Sequence, residues 1–179
     1  MFRLVALFLL AGVACVAYGI AIERSWYRLR RYDLAILPPG GPQRLAVLHL
    51  SDLHFVRRDP KKARFLASLP PADVTVVTGD FLAEPAGIET AVAAVRAVRG
   101  RCASWFVLGS NDHFQPRPLN YFAYFRKRRK RRGALRGRPD ELIRGLVSDG
   151  WADLTNVRRL AEVNGLPIEL LGLDDAHLR

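Results

Sequence analysis

The chain is poor in cysteine and in acid. Its 179 residues include two cysteines, Cys15 and Cys102, too few and too far apart for a disulfide framework or a zinc knuckle. Their apolar surroundings mark both as packing residues. Seventeen acidic side chains stand against 28 basic ones, a formal net charge of +11. Such a balance favours anionic partners (a membrane surface, nucleic acid or a phosphorylated substrate) without choosing among them. No internal repeat is visible, which excludes a solenoid. Half of the residues are hydrophobic and a quarter charged, so the chain has enough apolar material to fold.

Charge is also missing locally. Leu4 to Ile22 carries no charged residue, a run close to the ~20 residues a membrane-crossing helix needs. Arg3 precedes it, and Glu23, Arg24, Arg28, Arg30 and Arg31 follow, with Trp26 and Tyr27 at the level of an interfacial aromatic belt. A cleaved signal peptide is the rival reading: Gly19-Ile-Ala21 is a small-x-small pattern, and Gly12-Val-Ala-Cys15 is a poor lipobox. The run is long for a signal core and has one Arg in front, so a retained single-pass anchor in the cell membrane is expected. No amphipathic stripe supports a buried globular helix. The excess of Lys and Arg after the run predicts a cytoplasmic body.

Three segments result: an anchor at 1–24, a linker at 25–44 and a domain at 45–179. Leu37-Pro-Pro-Gly-Gly-Pro42 punctuates the linker and cannot hold a helix. Leu45 to Leu50 is an apolar run suited to a strand buried on both faces. Pro60 to Leu69 reads as a helix with Pro60 at its amino end. Asp73 to Thr78 is a second strand, and Gly87 to Arg99 a helix with Ile88, Ala91, Val92, Val95 and Val98 on one stripe. Ala103 to Leu108 is a third strand. This βαβαβ order predicts an α/β fold with a parallel sheet and right-handed crossovers. Further on, Arg138 to Asp149 predicts a helix and Trp151 to Thr155 a short strand. Asn164-Gly165 joins two strands, Leu160 to Val163 and Ile168 to Leu171, as a hairpin.

Each of the first three strands runs into a polar turn. The first offers Asp52 and His54, the second Asp80, the third Asn111, Asp112 and His113. In a parallel sheet these turns open on one edge, so their side chains can converge. Carboxylate, imidazole and amide oxygen together suit Mn, Fe or Zn better than Ca. A carboxylate shared between two such ions is the arrangement of a two-metal hydrolase. Taken singly the turns are weak signals; Asp80 alone could be a helix cap. His49, inside the first strand, reads as a hydrogen-bonded core residue.

The order Asp-x-His, Gly-Asp, then Gly followed by Asn, Asp and His resembles the opening half of the calcineurin-like metallophosphoesterase pattern. His49-Leu-Ser-Asp-Leu-His54 is similar to the first motif of membrane-anchored bacterial phosphodiesterases of that superfamily, and the resemblance runs from about Leu45 to Asp175. It implies part of a four-layer α/β/β/α sandwich, two divalent metal ions, and hydrolysis of a phosphodiester or pyrophosphate, with a lipid precursor among the substrates. Carried over residue by residue, it implies that Asp52 and His54 bind one metal, Asp80 bridges two and Asn111 binds the second. The family's His directly follows Asn; here Asp112 takes that place, Ser110 is extra, and His113 is the candidate proton donor one position later. The family's later lone His and its Gly-His-x-His are missing. The only histidine after His113 is His177, behind Asp174-Asp175, a pair that resembles a mid-domain segment of the family. The resemblance therefore implies the front half of a fold, with three imidazole ligands absent and weak metal retention.

Between Pro116 and Pro139 lies a basic insertion: Asn120-Tyr-Phe-Ala-Tyr-Phe125, then Arg126-Lys-Arg-Arg-Lys-Arg-Arg132. A solvated loop is its plainest reading. An anionic-lipid surface comes next, and nucleic-acid binding third, because no recognition module surrounds it. The competing function is thus a non-catalytic, membrane-anchored protein that grips anionic surfaces through this block.

Overall fold

The computed structural model describes residues 2–115 and 136–175; the basic block and His177 lie outside them. The chain divides into two compact units, Met1–Leu34 and Ala35–Arg179. In the first, helix α1 spans Phe2–Ala21. Its 19 residues from Arg3 to Ala21 are long and apolar enough to cross a membrane, and none of that stretch is buried. At 1.5 Å per residue they measure about 28 Å, close to a hydrocarbon core. A single 3-10 turn, Glu23–Ser25, ends it. Beyond the turn the Arg28 guanidinium lies 3.9 Å from the centre of the Trp26 ring.

The second unit is mixed α/β. Strands β1 (Val47–Leu50), β2 (Val74–Thr78), β3 (Ala103–Val107) and β4 (Ala152–Asp153) form one parallel sheet in sequence order. Helices α2 (Pro60–Ala67), α3 (Ile88–Arg96) and α5 (Pro139–Ser148) connect them, with a single turn, α4 (Ser110–His113), directly after β3. When each new strand joins the same side of a parallel sheet, right-handed crossovers put every connecting helix on one face. The core shows that face: Leu48, Val77 and Phe106 of the sheet pack with Leu66, Ala91, Val95, Leu142 and Leu146 of the helices. Phe81 meets Phe106 edge to face, centres 5.9 Å apart. The two buried hydroxyls in this layer are both satisfied, Thr75 Oγ1 donating to Val98 O at 2.6 Å and Ser104 Oγ accepting from Gly100 N at 2.9 Å.

The other face carries the antiparallel hairpin of β5 (Arg158–Val163) and β6 (Leu166–Leu171). Val74 and Trp105 of the sheet pack there against Leu154 and Val163, with Ala161, Ile168 and Leu170 at the margin. The turn residues Asn164 and Gly165 have φ of 52° and 77°, the left-handed pair a two-residue turn requires.

Two expectations change. β1 is an edge strand and is not buried on both faces: Leu48 is buried, but Val47 and His49 are exposed. His49 does hydrogen-bond, through Nε2 to Thr78 Oγ1 at 2.8 Å, yet outside the core. The cysteines are also not packing residues; both are exposed free thiols, Cys102 beside Asn164 Oδ1 at 3.2 Å.

Candidate metal centre

The carboxyl edge of the sheet is where three chains of turns meet. β1 and β2 continue side by side beyond their strands: Asp52 N donates to Gly79 O, His54 N to Asp80 O at 2.9 Å, and Phe55 N to Phe81 O at 2.7 Å. Phe55, Phe81 and Leu82 are buried beneath these turns and pin them to the core. The polar residues between the anchors must therefore reverse direction within a residue or two. Asp52, His54 and Asp80 do so with φ of 53°, 44° and 52°, in the left-handed region that costs an L-residue roughly 1–2 kcal/mol. Non-glycine residues held there cluster at functional sites.

The turn after β3 is tied in equally closely. Gly79, at φ +80°, and Gly109 touch through their backbones: a Cβ on Gly79 would lie 2.9 Å from Gly109 Cα, and one on Gly109 would lie 2.2 Å from Asp80 Oδ1. Asp80 Oδ1 accepts from Asn111 N at 3.0 Å, reaching a first-turn N–H of α4 from another strand, while Gly109 is the N-cap of that turn. Asp112 locks the joint. It is fully buried, its Oδ1 accepting from Leu82 N and its Oδ2 from Gly109 N, both at 3.0 Å. Burial pushes its pKa up to about 6; the backbone N–H groups of Gly109, Leu82 and Phe81 pull the other way, and the Asp80 charge adds to the rise.

Four of the five singled-out residues come together. The ligand atoms of Asp52, His54 and Asp80 all lie within 4.8 Å of one another. His54 Nε2 is 3.9 Å from both Asp52 Oδ1 and Asp80 Oδ2, too far for direct hydrogen bonds. The spacing matches donors about 2.0–2.2 Å from a shared ion, which sit roughly 3–4 Å apart. Asn111 Nδ2 donates to Asp80 Oδ2 at 3.0 Å and lies 3.3 Å from His54 Nδ1; a half-turn of the amide puts its oxygen in the same place. The set therefore fits one divalent cation through Asp52, His54 and Asp80. A second would have Asp80 and Asn111. Among the described residues, Asp52, His54 and Asp80 are the only group of three or more such ligands.

His113 is turned elsewhere. Its Nε2 is 3.2 Å from Asp174 Oδ1, and among the described residues no hydrogen bond joins it to the other four. Asp174 is in turn held by its N–H to Asn156 Oδ1 at 3.1 Å. Asp174 and Asp175 line, with Asp80, Gly109 and Ser110, a cleft of about 540 Å³ between the sheet and β6; its other walls include Trp105, Leu170, Leu171 and Leu173. Sequence reasoning passed over Asp174 as a site residue. The signal available was its place just past the end of a strand, the same place as Asp52 and Asp80.

A scan of protein-family models finds none that matches the chain, and a search of curated proteins finds no match either.

Proposed function

We propose that this chain is a membrane-anchored, metal-dependent phosphoesterase of the calcineurin-like type. The observation that carries the reading is the convergence of Asp52, His54, Asp80 and Asn111 from three consecutive parallel strand ends, three of them in left-handed backbone. On this reading the β5–β6 hairpin begins the second sheet of the family's four-layer sandwich, and α1 is the anchor.

Divalent ions, Mn, Fe or Zn by the donor set, supply Lewis-acid charge to a phosphoryl group and lower the pKa of water. The chain's own residues do the rest. Asp52, His54, Asp80 and Asn111 would hold the cations, and the strained turns keep the first three of these side chains in place before substrate arrives. In the proposed reaction water attacks phosphorus and gives up a proton to solvent, the P–O bond to the leaving group breaks, and the departing oxygen takes a proton, the task proposed for His113, whose partner Asp174 lines the same cleft as Asp80. The half-apolar cleft beside Asp80 suits an amphipathic phosphoester, which supports a lipid precursor as substrate.

The test is hydrolysis of bis-p-nitrophenyl phosphate by the full chain in detergent micelles, with Mn²⁺, Fe²⁺ or Zn²⁺ added in turn. Turnover that Asp80→Ala reduces by at least about a hundredfold is expected. No turnover with any of the three ions, while the chain still binds anionic liposomes, would replace the hydrolase by the non-catalytic lipid-binding alternative.

A further inference from the structure

His54 is the ligand whose backbone is held from both sides. Its N–H is bonded to Asp80 O at 2.9 Å, and its carbonyl accepts from Lys62 Nζ at 3.1 Å. Lys62 is an unusual residue to find here. It sits in the first turn of α2 yet is buried, 9% exposed, where lysine is seldom found unless paired. Its ammonium is 2.8 Å from Asp59 Oδ2 and 4.8 Å from the centre of the Phe55 ring. Asp59 is the N-cap of α2, its Oδ1 accepting from Lys62 N at 3.1 Å. One carboxylate thus starts the helix and pairs with the lysine, and the lysine reaches back eight residues to the peptide of a candidate ligand.

We infer that Lys62 is a positioning residue for the metal centre: by holding the His54 carbonyl it keeps the left-handed turn closed and the imidazole aligned with Asp52 and Asp80. The inference rests on the metal-binding reading above. Charge and geometry predict opposite outcomes, which makes the role separable. A buried cation near the centre repels a divalent ion, so a purely electrostatic Lys62 would weaken binding and its removal would tighten it. A positioning Lys62 strengthens binding, and its removal costs affinity, as loss of supporting partners of metal ligands does, by about 10–100-fold.

Deleting the ammonium alone would strand a buried carboxylate. The variant is therefore the pair Asp59→Asn with Lys62→Met, which removes both charges and keeps an oxygen at the N-cap. Asp59→Asn alone is the control, because it leaves the lysine on the His54 carbonyl. Mn²⁺ alone is titrated into the full-length protein in micelles, free Mn²⁺ being followed by electron paramagnetic resonance and folding by circular dichroism. The expected result is a loss of at least about tenfold in affinity for the double variant, with the control close to wild type and all three proteins folded. Equal or tighter binding by the folded double variant overturns the positioning role and leaves the metal centre standing. So does an equal loss in the control. Failure of the wild type to bind Mn²⁺ overturns the metal centre itself.

Discussion

The contact between Gly79 and Gly109 is the joint on which the candidate centre depends, and an alanine series tests it. Three glycines separate backbone strain from lack of space. Gly165 has φ +77° and nothing within 4 Å of a Cβ; alanine there meets only the left-handed penalty, about 1 kcal/mol after the unfolded chain's loss of freedom is allowed for. Gly109 has φ −113° and ψ 176°, extended backbone open to any residue, but its Cβ would fall 2.2 Å from Asp80 Oδ1 and 2.5 Å from Asp80 N. Relief requires the two turns to part by about 1 Å, a core-like overpacking of roughly 1–3 kcal/mol. The Asn111 N to Asp80 Oδ1 bond goes with it, about 1 kcal/mol more. Gly79 carries both penalties, with a softer overlap at 2.9 Å. Denaturant unfolding in micelles, followed by the fluorescence of the buried Trp105 and Trp151, is expected to rank Gly165→Ala as mildest, and the other two as costlier by about 1–3 kcal/mol. Mn²⁺ affinity falls for Gly79→Ala and Gly109→Ala and is unchanged for Gly165→Ala. A Gly109→Ala protein no less stable than Gly165→Ala would show that the turns separate freely, and the close-approach argument would fail.

Two further measurements probe the layers beneath. Asp112 has its folded pKa raised from 3.8 to about 6, so its contribution to stability is fully present below pH 3.8 and is lost as pH rises through about 6. The shift corresponds to about 3 kcal/mol. Asp73, lowered by the Ala46 N–H and by Arg101, contributes in the opposite sense, with stability present above pH 3.8 and lost in stronger acid. The stability difference between wild type and Asp112→Asn should therefore move by about 2 kcal/mol between pH 4 and pH 7; a constant difference would contradict the burial argument. Phe106→Ala, which removes a fully buried ring stacked edge-on to Phe81, should cost about 3–5 kcal/mol in the same unfolding assay, and a cost below 1 kcal/mol would mean that the helix-side layer is loosely packed.

The parallel sheet was legible because its signals are local. Val74, Val76 and Val77 stand directly before Gly79-Asp80, and the Ala103 to Leu108 run before Gly109, so strand and turn are written within a few residues. The helices could be read from stripes such as Ile88, Ala91 and Val95, which the structure buries. What was not legible is which strand lies at the edge. An apolar run buried on one face by helices reads the same as one buried on both, so Val47 and His49 were placed inside. The distinction depends on strand order and on what packs on the far side, and neither is local. Cys102 misled for the same reason: the apolar strand run begins right after it at Ala103, but its neighbours in space are Asn164 and solvent.

The same limit explains the site. Ligand-type residues at three strand ends could be picked out by eye, because a parallel sheet brings all its carboxyl ends to one edge. Their supports could not, since each acts through the backbone of a residue far away in sequence. Lys62 holds a carbonyl eight positions back. Asp112 bonds to an N–H thirty positions back. Its identity as a joint, and not as a stand-in for a proton donor, follows from burial and from its two backbone partners. His113 was singled out because histidine is the side chain best poised to move protons near neutral pH, but chemistry alone does not say where a ring points. Its partner Asp174 arrives 61 residues later, on a segment that the hairpin folds back toward the third strand end. A candidate centre read from sequence is thus a set of possible ligands; the strained turns at Asp52, His54 and Asp80 and the buried groups that hold them are what would make it a preorganised one.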